Sequence, residues 1–104
     1  MTERQKFYEF AKQFYEDAFS IIQKKNNDYS QEKNPFANFE FTAEASGITT
    51  ERVFLMQIAN KLARMRECLD KPILVLDETL TDTLQDMINY CVLLAGYMNK
   101  WVHE

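Results

Sequence analysis

The chain has 104 residues, of which 46% are hydrophobic and 13% aromatic, and this length is typical of one domain with one core. With only two Gly and two Pro there is little turn chemistry for an all-β fold, so the composition predicts a single all-α domain over residues 1–104. The formal net charge of −4 argues against the concentrated positive face that duplex nucleic acid requires.

Cysteine usage and apolar run lengths indicate where the protein functions. Cys68 and Cys91 are too few for a disulfide framework, and both fall in predicted helices among apolar neighbours, so we expect reduced thiols in the core. The longest apolar run, residues 91–98, is far below the roughly 20 residues that cross a bilayer. The amino terminus lacks the apolar segment of a signal peptide. We therefore expect a cytoplasmic protein without a membrane partner.

The first predicted helix runs from about residue 3 to residue 25. Thr2 and Gln5 have the spacing of a capping box, in which each side chain accepts a hydrogen bond from the backbone of the other residue. Apolar residues then recur at helical spacing, which predicts a long helix. These residues are Phe7, Phe10, Ala11, Phe14, Ala18, Ile21 and Ile22.

Residues 24–34 interrupt this periodicity with Asn, Asp and Ser, whose side chains compete for nearby backbone groups, so they predict a polar loop. Asn34 and Pro35 then suit the start of a short helix that carries Phe36 and Phe39 into the core. A further helical turn over residues 42–46 is expected to end at Gly47.

The second half of the chain predicts two long helices. Thr49 or Thr50 can cap the first of them, which runs to about Asp70, and the second covers about residues 77–102. The link at residues 72–76 is short, so these helices are expected to be antiparallel neighbours. The predicted fold is a small helical bundle with two long antiparallel C-terminal helices, a long N-terminal helix and short helices between.

An acidic stripe marks the start of the last predicted helix. Glu78, Asp82 and Asp86 follow each other at intervals of four residues, which places them within roughly 80° of arc on an α-helix. Together they could hold Mg²⁺, while Lys61 and Arg64 of the preceding helix neutralise phosphate oxygens. The alternative is a structural salt-bridge network between two packed helices.

The predicted loop contains a second group of candidate ligand-binding residues. Lysine donates to phosphate, asparagine can read the polar edge of a nucleobase, and tyrosine can stack on its face. The alternative is an ordinary solvated connection, since surface loops are generally polar. The candidates are Lys24, Lys25, Asn27, Asp28, Tyr29, Asn34 and Asn38.

The order of four segments carries a family resemblance. KKNNDYS, NPFANFEF, MQIANKLARM and LDETLTDTLQDMINY occur in that order over roughly residues 24–97. This arrangement resembles the nucleotide modification associated domain 1 family, which is found largely in phages and bacteria. That family is in turn similar to the all-alpha nucleoside triphosphate pyrophosphohydrolase superfamily, in its helical character and in its acidic helix.

The resemblance implies roles for residues in each segment. It places motif residues in all four segments, and in the superfamily a paired-glutamate helix and a second acidic helix together bind Mg²⁺ for hydrolysis of the α–β phosphate linkage of a nucleotide. The motif residues are Lys24, Asp28, Tyr29, Asn34, Asn38, Lys61, Arg64, Glu78, Asp82, Asp86 and Tyr90. The first helix here offers Glu9, Glu16 and Asp17 but no two Glu three residues apart.

Three functions remain open from the sequence. The first is a phage-type or bacterial protein that captures a nucleotide metabolite or signal without turnover, which the missing glutamate pair favours. The second is a Mg²⁺-dependent nucleotide pyrophosphohydrolase in which Glu78, Asp82 and Asp86 are catalytic. The third is a helical protein-interaction module. The abundance of Phe, Tyr and Met also predicts a homo-oligomer.

Overall fold

The computed structural model describes residues 1–29, 34–70 and 78–103, and the side chains of residues 1–26, 34–70 and 79–99. Every regular element in these ranges is an α-helix, so the all-α prediction is confirmed. The helices are α1 (Glu3–Tyr29), α2 (Ala37–Ser46), α3 (Thr50–Leu69) and α4 (Glu78–His103).

Helix α1 begins at the predicted capping box. The Thr2 backbone N–H donates to Gln5 Oε1 over 2.8 Å, and the Gln5 backbone N–H donates to Thr2 Oγ1 over 3.1 Å. The helix continues to Tyr29, so the prediction of a loop from residue 24 is wrong for residues 24–29. Helix propensity disfavours Asn and Asp by well under 1 kcal/mol each, which the contacts of the preceding turn can offset. Residues 30–33 of the predicted loop lie outside the described residues.

Helix α2 is one helix, where the sequence predicted two short pieces. Asn34 prepares its start, because its Oδ1 accepts from the Phe36 backbone N–H over 3.0 Å and its Nδ2 donates to Glu40 over 2.6 Å. The cap itself is Phe36 rather than Asn34. The helix ends as predicted at Gly47, whose φ of 71° is in the left-handed region that glycine adopts without steric cost.

Helices α3 and α4 run antiparallel, as predicted. The Thr49 hydroxyl caps α3 by accepting from the Arg52 backbone N–H over 3.3 Å. Lys61 of α3 contacts Asp86 of α4, and Phe54 contacts Tyr97, so residue numbers rise along one helix as they fall along the other. The predicted short link at residues 72–76 lies outside the described part of the chain.

An aromatic cluster joins α2, α3 and α4. Phe39 packs on Phe54 with ring centroids 4.5 Å apart, and Phe36 meets Tyr97 edge to face at 5.4 Å. Phe54 has no exposed surface and is the largest fully buried side chain among the described residues. The prediction that Phe36 and Phe39 enter the core is therefore confirmed by their contacts, although both are half-buried.

Helix α1 docks on α4 through a polar contact at its middle. The Asn89 side-chain amide donates to the Ala18 carbonyl over 2.8 Å, and both residues are buried. Nearer the amino terminus, Phe7 is 62% exposed and Phe10 is 51% exposed. These two rings lie outside the core, whereas α1 contacts α4 further along the helix, at Ala18 and Lys25.

The cysteines differ from the prediction in their burial. Cys68 and Cys91 are both free thiols, as expected, but Cys68 is half-buried and Cys91 is exposed. The expectation that Cys91 lies in the core is wrong, because this position falls on the side of α4 that no described helix covers. Within the described residues, no helix combines the length and the apolar composition that crossing a membrane requires.

Candidate functional site

Asp86 joins three helices through its two carboxylate oxygens. Its Oδ2 accepts from Lys61 Nζ of α3 over 2.8 Å, and its Oδ1 is 3.3 Å from Lys25 Nζ of α1. The side chains of Asp86 and Lys61 are each 16% exposed, whereas that of Lys25 is 53% exposed. Lys61 and Asp86 thus form one ion pair of the kind that the salt-bridge alternative predicts between these two helices.

The two lysines determine the ionisation of Asp86. Burial by itself raises the pKa of this carboxyl, but the hydrogen bond from Lys61 and the positive charges of Lys25 and Lys61 outweigh it. The pKa of Asp86 therefore lies below its ordinary value, and the group is a carboxylate at neutral pH. Two ammonium groups around one carboxylate leave an excess of positive charge beside it.

A cavity of about 270 Å³ opens next to this ion pair, where the end of α1 meets α2 and α4. Its volume is near the lower end of the roughly 300–1,000 Å³ range of small-molecule sites. Ten described residues line it, and most of the lining is apolar. They are Ile22, Lys25, Asn26, Pro35, Asn38, Phe39, Asp86, Asn89, Tyr90 and Leu93.

Two aromatic rings form part of the cavity lining. Phe39 comes from α2 and Tyr90 from α4, and they meet edge to face with centroids 6.3 Å apart. Tyr90 is half-buried, and the aromatic cluster behind Phe39 holds that ring in place. Fixed aromatic faces in a partly open cavity suit the flat face of a heterocyclic base.

Amides and charges complete the lining. Asn26 and Asn38 are exposed and lie toward the mouth, and Asn89 is buried with its amide N–H committed to the Ala18 carbonyl. An amide both donates and accepts hydrogen bonds, as the edge of a nucleobase does. Lys25 adds a half-exposed ammonium group that can bind an anion. The arrangement can therefore bind a flat, polar-edged ring that carries a negative group.

The structure brings only some of the predicted ligand-binding residues to this cavity. Lys25, Asn38 and Asp86 line it, and Lys61 supports Asp86 from α3. Four other predicted residues are not among its described lining residues: Asn34, which is engaged at the start of α2, and the exposed Lys24, Arg64 and Asp82. The side chains of Asn27, Asp28, Tyr29 and Glu78 lie outside the described part of the chain.

Sequence reasoning missed several residues of the cavity, of which Asn89 carried the clearest signal. It is an amide inside the apolar segment Met87–Val92, and such a residue must find a hydrogen-bonding partner when the helix is buried. Asn26 gave no signal that distinguished it from its neighbour Asn27. The apolar lining residues Ile22, Pro35 and Leu93 are typical of any core and carried no signal of a site.

The acids do not gather into a metal-binding group within the part of the chain whose side chains are described. No three His, Cys, Asp or Glu residues among them are placed to hold one ion. Asp82 is exposed, and each oxygen of Asp86 already contacts a lysine ammonium group. The side chain of Glu78 lies outside this part of the chain, so the Mg²⁺ site predicted for Glu78, Asp82 and Asp86 stays a prediction.

Comparison with known proteins adds no assignment to this geometry. The resemblance of the chain to the nucleotide modification associated domain 1 family stays a prediction based on the four sequence segments. No family model, no curated protein and no solved structure matches the chain.

Proposed function

We propose that this protein binds a small nucleotide in the cavity between α1, α2 and α4. The observation that carries the proposal is the convergence of an aromatic wall, amide groups and a lysine in one cavity of about 270 Å³. Phe39 and Tyr90 contact the face of the base, Asn26 and Asn38 bond its polar edge, and Lys25 binds phosphate oxygens.

Lys25 is suited to phosphate because its present partner is easily exchanged. Its contact with Asp86 is 3.3 Å long and its side chain is half-exposed, so the pair is weak. Asp86 keeps its shorter contact with the less exposed Lys61 when Lys25 turns to a ligand. The carboxylate therefore stays paired while one cation becomes available.

The same geometry favours capture over hydrolysis. Asp86 is the one predicted catalytic acid among the described cavity residues, and both of its oxygens are occupied by ammonium groups. The two ammonium charges beside this carboxylate repel Mg²⁺, and its lowered pKa makes it a poor general base. We therefore place stoichiometric nucleotide binding before the pyrophosphohydrolase function.

The test is calorimetric titration of the purified protein with nucleosides, linear nucleotides and cyclic nucleotides, with and without Mg²⁺. Chromatography of the free pool and of the pool released by heat then identifies the bound species. Recovery of an unaltered nucleotide supports capture, whereas products that form only with Mg²⁺ would instead establish hydrolysis. If no compound of the series binds or reacts, the proposal is wrong and the protein-interaction function remains.

Two variants connect binding to the cavity. Lys25→Ala should weaken the binding of a nucleotide by about tenfold but leave the binding of the corresponding nucleoside almost unchanged, because only the nucleotide carries phosphate. Asn38→Ala should weaken the binding of both the nucleotide and the nucleoside, since it removes a contact to the base. Lys12→Ala, an exposed lysine earlier in α1, is the matched control. Equal losses of nucleotide affinity in Lys25→Ala and Lys12→Ala would indicate nonspecific attraction between the phosphate and positive charge on α1.

A further inference from the structure

One side of α1 changes from buried to exposed along its length. Ala18 is buried against α4, Phe14 is half-buried, and Phe10 and Phe7 are more than half exposed. Phe7, Phe10, Ala11 and Phe14 share an arc of about 100° with Ala18 on an ideal helix, and we call these four residues the amino-terminal stripe. The rings of Phe10 and Phe14 lie 5.6 Å apart, so the stripe is a continuous apolar surface.

The whole chain exposes more surface than a folded monomer of its size. Its accessible area is 8112 Å², whereas a monomer of 12.3 kDa is expected to expose about 6,100 Å². Its radius of gyration of 15.9 Å likewise exceeds the roughly 13 Å expected for this length. This excess area is larger than the roughly 800 Å² per partner that a standard interface covers.

The amino-terminal stripe has the features of a surface that fits a second copy of itself. Ala11 lies at its centre, between the larger rings of Phe7, Phe10 and Phe14, so two helices can approach closely there. In an antiparallel arrangement with Ala11 near the two-fold axis, Phe7 of one copy lies level with Phe14 of the other. Each ring then packs where the opposite helix leaves space.

Charge along α1 favours the antiparallel arrangement over the parallel one. Exposed Lys6 flanks the stripe near one end, and exposed Asp17 flanks it near the other end, on the same side of the helix. An antiparallel pair places Lys6 of each copy beside Asp17 of the other, whereas a parallel pair would place like charges together. Lys6 and Asp17 also have partners within α1, namely Glu3 and Gln13, and can share them.

We propose that the amino-terminal stripe is a homodimer interface in which two α1 helices pack antiparallel about a two-fold axis near Ala11. The interface buries Phe7, Phe10 and Phe14 of both copies. It lies toward the opposite end of α1 from Lys25 and Asn26, so it is independent of the cavity. Measurements of assembly test this proposal by themselves, and they need no nucleotide.

Sedimentation equilibrium of the purified full chain is the first test. The wild type should sediment as a dimer, and Phe10→Glu should raise the dissociation constant of the dimer by at least about tenfold, because it places a charge in the apolar contact. Phe41→Glu is the matched control, since Phe41 is 71% exposed on α2, outside the stripe, and should not alter assembly. A monomeric wild type would overturn the proposal.

Cross-linking tests the geometry without relying on a disruptive variant. With Cys68 and Cys91 replaced by alanine, Ala11→Cys should form a disulfide-linked dimer on oxidation, because the two positions meet at the axis. Glu9→Cys, on the opposite side of α1, should stay unlinked under the same conditions. A dimer that resists Phe10→Glu and does not cross-link through Ala11→Cys uses another surface, and this result would also overturn the proposal.

Discussion

At the scale of single residues, Asp86 connects three helices through two unequal ion pairs. The contact with Lys61 is short and largely shielded from water, whereas the contact with Lys25 is longer and half-exposed. Exposed ion pairs contribute little because water already solvates both charges, and shielded pairs leave a costly unpaired charge when one partner is removed. The two lysines should therefore differ in their effect on stability.

The first prediction concerns the free energy of unfolding in urea at pH 7. Lys61→Met should lower it by about 1–3 kcal/mol, because it leaves the Asp86 carboxylate with one distant cation. Lys25→Met removes the other ammonium group beside the same carboxylate. It should lower the free energy of unfolding by less than about 1 kcal/mol. Equal losses for the two variants would contradict this ranking.

The ion pairs of Asp86 also predict that the stability of the protein depends on pH. Because the folded-state pKa of Asp86 lies below the value of about 3.9 in an unfolded chain, the unfolded state binds more protons between those two values. The stabilisation from the ionised carboxylate is complete above the unfolded pKa and is lost as pH falls through the folded pKa. The stability difference between wild type and Asp86→Asn should be constant above about pH 5 and shrink below about pH 4.

At the scale of helices, the ends are set by local chemistry that the sequence shows directly. Thr2 with Gln5 caps α1, Thr49 caps α3, and Gly47 ends α2 in the left-handed conformation. Residue type and position alone predict Thr2, Gln5 and Gly47 at these ends and leave Thr49 as one of two candidates, with Thr50. Such signals act within a few residues of the backbone groups they satisfy, so no tertiary contact is needed to find them.

The two glycines make a matched pair for the second prediction. Gly47→Ala should destabilise the protein by about 1 kcal/mol, because its φ of 71° disfavours any residue with a Cβ even though no atom lies within 4 Å of that Cβ. Gly96→Ala should stabilise it by about 0.5–1 kcal/mol, since Gly96 is inside α4 and its added Cβ would make an ordinary 3.6 Å contact with Phe36.

Thermal unfolding followed by circular dichroism measures both glycine variants. The melting temperature should fall for Gly47→Ala and rise for Gly96→Ala relative to wild type. Two changes of the same sign would contradict the assignment of opposite roles to the two positions.

At the scale of the whole molecule, the apolar core is small and depends on Phe54. The buried hydrophobic residues of the described chain are Ala18, Ala43, Val53, Phe54 and Tyr97. Phe54 contacts both Phe39 and Tyr97, so it connects the rings of α2 with those of α4. Many other large apolar side chains are exposed, which is consistent with a fold that gains stability by assembling.

The third prediction compares two phenylalanines of opposite exposure. Phe54→Ala should lower the free energy of unfolding by about 3–5 kcal/mol, because it opens a cavity among the packed rings. Phe41→Ala should change it by less than about 0.5 kcal/mol, since Phe41 is mostly in water. Urea unfolding at matched protein concentrations measures the free energy of unfolding of both variants. A large loss of stability in Phe41→Ala would mean that this ring is covered in solution.

Long-range packing explains where the sequence predictions were wrong. The polar residues at 24–29 predict a loop on their own, but they extend α1, whose last turns carry Lys25 to Asp86. Phe7 and Phe14 have the same helical periodicity, yet only Phe14 is half-buried, because burial depends on how far α4 covers α1. Periodicity identifies an apolar side of a helix but not what covers it.

The sequence by itself determined the all-α class, the three long helices to within a few residues at most ends, and most of the residues that begin or end them. These features follow from local hydrogen bonding and from apolar spacing along one helix. Only the tertiary structure decided which acid of the stripe is paired. Of Asp82 and Asp86, the two acids of the stripe whose side chains are described, Asp86 is the one beside Lys25 and Lys61, because those lysines come from two other helices.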